Sequence, residues 1–121
     1  MTRSPLLQIV RDSIEEVIEA RRIIKREELL IMYPVLAQNI ASVITIQVED
    51  KLREARSDEA LKPLIDDIIY NAKIAAFEDM KFPPITTAQY LHCSISLSLL
   101  IPNDEGGFTM ETSTDGPLLK N

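Results

Sequence analysis

From Leu91 to Leu99 apolar and polar residues alternate without a break, with Leu91, Cys93, Ile95, Leu97 and Leu99 on one side and His92, Ser94, Ser96 and Ser98 on the other. Successive side chains of a strand project to opposite faces. The stretch Leu91 to Ile101 therefore predicts a strand with one face on a core and one polar face. Such a sheet needs an apolar cover, and the chain supplies one upstream. Leu61, Leu64, Ile65, Ile68, Ile69, Ala72, Ala75 and Ala76 recur at the helical period, with Pro63 in the first turn. The spacing predicts a helix over 61–77, its small alanines set close to the sheet and Asp66, Asp67, Asn71 and Lys73 towards the polar side.

The remaining elements follow from local signals. Ser4 before Pro5 is a helix start, and Leu6, Leu7, Val10, Ile14, Val17 and Ile18 then repeat at three- and four-residue spacing, with Glu15, Glu16 and Glu19 opposite. A short helix is expected from Arg26 to Tyr33, stopped by Pro34. Ala41 to Val48 is rich in β-branched residues, with Ile44, Ile46 and Val48 on the buried side of a strand. Glu49 to Lys51 reads as a turn, and Leu52 to Arg56 as a returning strand. Phe82-Pro83-Pro84 ends helical structure, and Thr86 with Gln89 matches a capping box for one short turn. The fold class is thus α+β: an antiparallel or mixed sheet of three to five strands with two main helices packed on it. Residues 1–102 form one domain. Residues 103–121 are expected to be a hairpin, with a short strand at Phe108 to Thr112, or a tail docked on a neighbouring chain.

A chain of 121 residues with 45% hydrophobic and 26% charged residues suits one core. One cysteine, Cys93, leaves no internal disulfide and no multi-cysteine zinc site. The N-terminal run has no signal-peptide pattern, and no segment approaches the ~20 uninterrupted apolar residues of a membrane span, so a cytoplasmic location is expected. The formal charge is −6, opposite to the balance of nucleic-acid binders. The one basic run, Arg21, Arg22, Lys25 and Arg26, is followed at once by Glu27 and Glu28 and reads as a solvated element end in preference to a phosphate site.

Few residues suggest chemistry. His92 and Cys93 invite a nucleophile–base pair, but neighbours on a strand face opposite ways, so Cys93 reads as core and His92 as a surface histidine. Asp66 and Asp67 diverge by about 100° on a helix, which suits a charged outer face better than a paired-carboxylate site. Glycines number three, all beyond position 105, so no phosphate-cradling loop or dinucleotide fingerprint exists. No acid or histidine pair has metal-ligand spacing. No cofactor is expected.

Two segments resemble the AMMECR-type domain family. Asn71 to Thr86, NAKIAAFEDMKFPPIT, followed by SISLSLLIP, is similar to the family's A-x-x-A-A-F helix, its D-P-R-F-x-P element and its strand ending L-T-P. Ala72, Ala75, Ala76 and Phe77 match the helix; Asp79, Lys81, Phe82 and Pro84 match the next element, with Met80 in place of Pro and Lys81 in place of Arg. Ile44-Thr45-Ile46 corresponds to the family's V-T-L strand, and Leu52 to Ser57 to its L-R-G-C-I-G signature. There Glu54 and Ser57 replace the glycines and Ala55 replaces the cysteine, so thiolate chemistry at that place is impossible in this chain. The resemblance implies an α+β sheet domain whose C-terminal portion is missing or reduced to the tail. Family members are associated with Memo-like and radical-SAM proteins, and neither is expected as a partner of this chain.

Two functions follow as expectations. The first is a domain acting through protein contacts without catalysis, as a homodimer that covers an open sheet edge or face, with no nucleic-acid or membrane partner. The second is a small enzyme or anionic-ligand-binding domain in which Arg53, Asp79, Lys81 and His92 converge on one pocket. Against it stands an ordinary ion pair of Asp79 with Arg53 or Lys81, locking the helix end to the sheet.

Overall fold

The computed structural model describes residues 4–119; the first three positions and the last two of the expected tail lie outside the described residues. Helix α1 (Pro5–Ile18) starts as its sequence dictates: the Ser4 hydroxyl accepts the Leu7 amide at 3.1 Å, and Pro5 follows where no amide partner is needed. Helix α2 (Arg26–Met32) stops before Pro34, and a 3-10 turn (Pro34–Ala37) follows. Strands β1 (Ala41–Val48) and β2 (Lys51–Arg56) form a hairpin around Glu49 and Asp50. Helix α3 (Leu64–Phe77), the short α4 (Thr87–Leu91), β3 (Ser94–Pro102) and β4 (Phe108–Asp115) complete the chain.

The four strands form one antiparallel sheet in the order β2-β1-β3-β4. Helices α1 and α3 pack against each other on one face of it; α3 lies over β1 and β2, while α1 lies over β3 and β4. The core between them holds Leu7, Val10 and Ile14 of α1, Leu64, Ile65, Ile68 and Ala72 of α3, and Ile44, Ile46, Ile95 and Leu97 of the sheet. At ~25 cal/mol per Å2, fully burying one such aliphatic side chain is worth about 1.5–3 kcal/mol, so this face of the sheet holds the domain together.

Several expectations change. Helix α3 begins at Leu64, with Pro63 at the N-cap, and Leu61 stands outside it, 75% exposed. The cause is the bridge between Asn39 and Pro63, where the Leu64 amide donates to Gln38 at 2.8 Å and holds the chain extended up to the helix. Leu91 belongs to α4, and His92 is that helix's C-cap, so the strand begins at Ser94. The capping box at Thr86 and Gln89 forms in both directions, at 3.1 and 3.0 Å, and nucleates a turn that the alternation alone could not reveal. Strand β4 runs past Thr112 to Asp115, and Leu118 beyond it packs on the core.

Candidate functional site

Of the four residues expected to converge, Arg53, Asp79 and Lys81 meet at the C-terminal end of α3, while His92 stands beside α4. Arg53 is buried, its Cζ 5.3 Å from the Phe82 ring centroid and its Nη1 donating to the Ala76 carbonyl at 3.2 Å. A guanidinium at the last turn of α3 suits the unpaired carbonyls and negative dipole end there. Asp79 accepts the amides of Lys81 (2.8 Å) and Glu54 (3.2 Å). Its slight burial would raise the carboxyl pKa, but those two amides, with the charges of Lys81 and Arg53, hold it below the ordinary range. Asp79 thus ties the end of α3 to β2 as expected, though through the Glu54 backbone; among the described residues it makes no ion pair with Arg53 or Lys81. The His92 ring meets the Leu119 carbonyl at 3.0 Å and lines a separate recess of about 400 Å3 with Val48, Glu49, Ala88 and Gln89.

Cys93 is fully buried, and burial, the largest influence, pushes its thiol pKa up. Its sulfur donates to the Tyr90 carbonyl at 3.1 Å and meets Arg11 Nη1 at 3.6 Å. It packs as a core residue, not as a nucleophile.

Two buried charged centres escaped the sequence. The first is Asp67, placed on the polar side by its type but 1% exposed in the structure. One of its oxygens accepts the Ser42 amide (2.8 Å), the Ser42 hydroxyl (2.6 Å) and the Asn71 side-chain amide (3.2 Å); the other accepts the Ser57 hydroxyl (2.6 Å). Ser42 precedes the first β1–β2 pair, Val43 with Arg56, so no ladder partner serves its amide on that side. Asp67 supplies the missing acceptor and Asn71 donates to the Ser42 carbonyl, so α3 is stitched to the open end of the hairpin. Ser57 and Asp67 border a recess of about 390 Å3 with Asp58, Glu59 and Lys62. The signal was present: positions 64, 67, 68, 71 and 75 share one helical face, and only residue type argued otherwise.

The second is Arg11, 0% exposed, within the stripe of Leu7, Ile14 and Ile18. It donates to Asp115 Oδ2 at 2.8 Å, the Gly116 carbonyl at 2.8 Å and the Cys93 carbonyl at 3.3 Å, and lies 5.2 Å from the Tyr90 ring centroid. Tyr90 in turn donates to Glu15 at 2.6 Å; burial and that bond push its phenol pKa up. Arg11 therefore clasps the end of β4 to α1. No buried side-chain nitrogen or oxygen among the described residues lacks a partner.

Among the described residues the opposite sheet face carries no helix. Gln47 and Thr45 of β1, Ser96 and Ser98 of β3, and Thr112 and Thr114 of β4 line it, with Ser98 and Thr112 hydroxyls 2.9 Å apart. Phe108 and Met110 stand 58% and 57% exposed. Among the described residues no group of three or more His, Cys, Asp and Glu side chains comes together as a metal site, and no helix is long and apolar enough to cross a membrane.

Comparison with known proteins places this architecture. A crystal structure of an uncharacterised protein, PH0010 from Pyrococcus horikoshii, superposes with a TM-score of 0.69 at 22% identity, over 80% of this chain and 50% of that one. The likeness is one of fold, and the chain spans about half the length of that relative. No curated protein matches the sequence. The AMMECR1 family model matches residues 7–118, from the first turn of α1 through the segment that Arg11 fastens down, and on that match the chain belongs to the AMMECR1 family.

Proposed function

We propose that this AMMECR1-family domain acts through contacts with other protein chains, without catalysing a reaction, and that its first partner is a second copy joined along β4. The free edge of that strand carries the reading. The sheet has two edges, and they differ. At β2 the strand is short, four of its six residues are charged, and Asp79 already takes the Glu54 amide; these are the usual ways of blunting an edge. Strand β4 has eight residues, and its two charges are Glu111 and Asp115, the latter already paired with Arg11. A row of backbone donors and acceptors that long is a template for another strand.

Self-pairing is chemically consistent. An antiparallel match centred on Thr112 sets Thr112 of one copy against Thr112 of the other, with Glu111 against Ser113 and Met110 against Thr114 on either side. No like charges then oppose, and the two-fold axis closes the assembly at two chains. The absence of catalysis is supported by Ala55, which stands where the family signature has its thiol, and by the burial of Arg53 beneath Phe82. A cytoplasmic location goes with a lone reduced cysteine.

Sedimentation equilibrium of the full chain tests this. The expected result is a dimer that Thr112→Glu converts to monomer, because that substitution sets two carboxylates directly against each other on the axis. A wild-type chain that stays monomeric at high concentration would overturn it.

A further inference from the structure

We infer that a recess beside the C-terminal end of α1 is a binding site for a small phosphorylated molecule. The recess, about 770 Å3, lies between α1, the loop 19–25 and α3, within the ~300–1,000 Å3 range of small-molecule sites. Four of the thirteen Lys and Arg residues of a chain with net charge −6 meet there: Arg21, Arg22, Arg26 and Lys73. Ile24 and Ile69 give the recess an apolar wall for the body of a ligand.

Carboxylates already present hold most of these cations in place without using up their donors. Lys73 pairs at 3.1 Å with Glu16, whose other oxygen is occupied by the amides of Ile23 and Ile24, both at 2.9 Å. Arg26 is held by Asp66 through two bonds, of 3.0 and 2.8 Å. Arg21 gives only its Nε–H, to Glu19 at 2.9 Å, so its two terminal nitrogens are open. Arg22 has no partner among the described residues and carries the full five-donor fork. Glu27 is the remaining carboxylate of the wall, and it lies 3.5 Å from Arg26.

An arginine fork matches phosphate oxygens in pairs. The chain's overall negative charge does not prevent this, since a Debye length of ~8 Å at physiological salt screens distant carboxylates from a small ion in the recess. A polynucleotide, by contrast, would lay its phosphates over the surrounding acidic surface.

Calorimetric titration of the full chain with inorganic pyrophosphate, citrate and a single-stranded oligonucleotide tests the site. Pyrophosphate is expected to bind saturably, more tightly than the other two, and to move the Ile23 and Ile24 amide resonances. Arg22→Ala, which disturbs no contact of the fold, should weaken it about tenfold, the loss of one charge-assisted pair. Arg56→Ala, on the exposed edge of β2, should leave it unchanged. Absence of binding at millimolar pyrophosphate, equal losses in the two variants, or tighter binding of citrate or the oligonucleotide would each overturn the inference.

Discussion

Removing the Asp67 carboxylate should cost a large part of the stability of this domain. In Asp67→Ala the Ser57 hydroxyl, half-buried at the mouth of a recess, can turn to water, and Asn71 keeps the Ser42 carbonyl and hydroxyl as acceptors at 3.2 and 3.1 Å. The Ser42 amide and hydroxyl have no such recourse, because Ser42 is 0% exposed and both groups donate to Asp67. An orphaned buried donor costs about 1–3 kcal/mol, so two give about 2–6. Stripping one member from a buried charged network typically costs about 3–5 kcal/mol, and the two routes agree. A domain of this size has about 5–15 kcal/mol in all. With a urea slope of about 2 kcal/mol per M, the midpoint should fall by about 2 M at constant slope. Asp66→Ala is the control, one position along the same helix, removing an exposed pair with Arg26; little change is expected there. A midpoint for Asp67→Ala that matches the Asp66→Ala value would refute the account of the hairpin end as a network closed by one carboxylate.

Two further outcomes follow from backbone and charge. Ala20 has φ 52° at the end of α1, where the Arg21 amide reaches the Glu16 carbonyl and the Ala20 amide that of Val17; this is a left-handed cap that favours glycine. After the extra unfolded-state entropy of glycine, Ala20→Gly should gain about 0.5–1 kcal/mol by urea denaturation, and any loss would contradict the strain argued for that position. Burial, the largest single influence, raises the Glu16 carboxyl, but the Ile24 and Ile23 amides together with Lys73 outweigh it, so its folded pKa lies below the ordinary glutamate value. A depressed folded pKa gives stability that is complete above ~4.3 and is lost as pH falls through the folded value. The acid limb of the stability–pH curve should therefore flatten in Glu16→Gln, and an unchanged limb would refute the role given to those two amides.

Much of the fold was legible because it depends on short-range chemistry. Ser4-Pro5, Thr86 with Gln89, and the β-branched run from Ala41 to Val48 each specify backbone geometry through neighbours within four positions, and each forms where expected. The site was less legible. Asp67 and Arg11 lie on helical faces that their spacing assigns to the core, yet an acid and an arginine are excluded from a core by type. What admits them is a partner far along the chain: the Ser42 amide 25 residues away for Asp67, and Asp115, 104 residues away, for Arg11. His92 moved for a local reason instead, since the helix that the Thr86–Gln89 capping box starts runs on through Leu91 and takes His92 as its C-cap.

The sequence by itself determined which stretches would be helix or strand, which faces would be apolar, and that Ala55 can do no thiol chemistry. Only the tertiary structure decided where charge could be buried, which sheet edge is blocked and which is open, and that the basic run at 21–26 meets Lys73 across a recess. Periodicity is a property of adjacent turns and pleats. The cost of a buried charge depends on donors and countercharges, and in this chain those arrive from distant elements once the sheet and its two helices have closed.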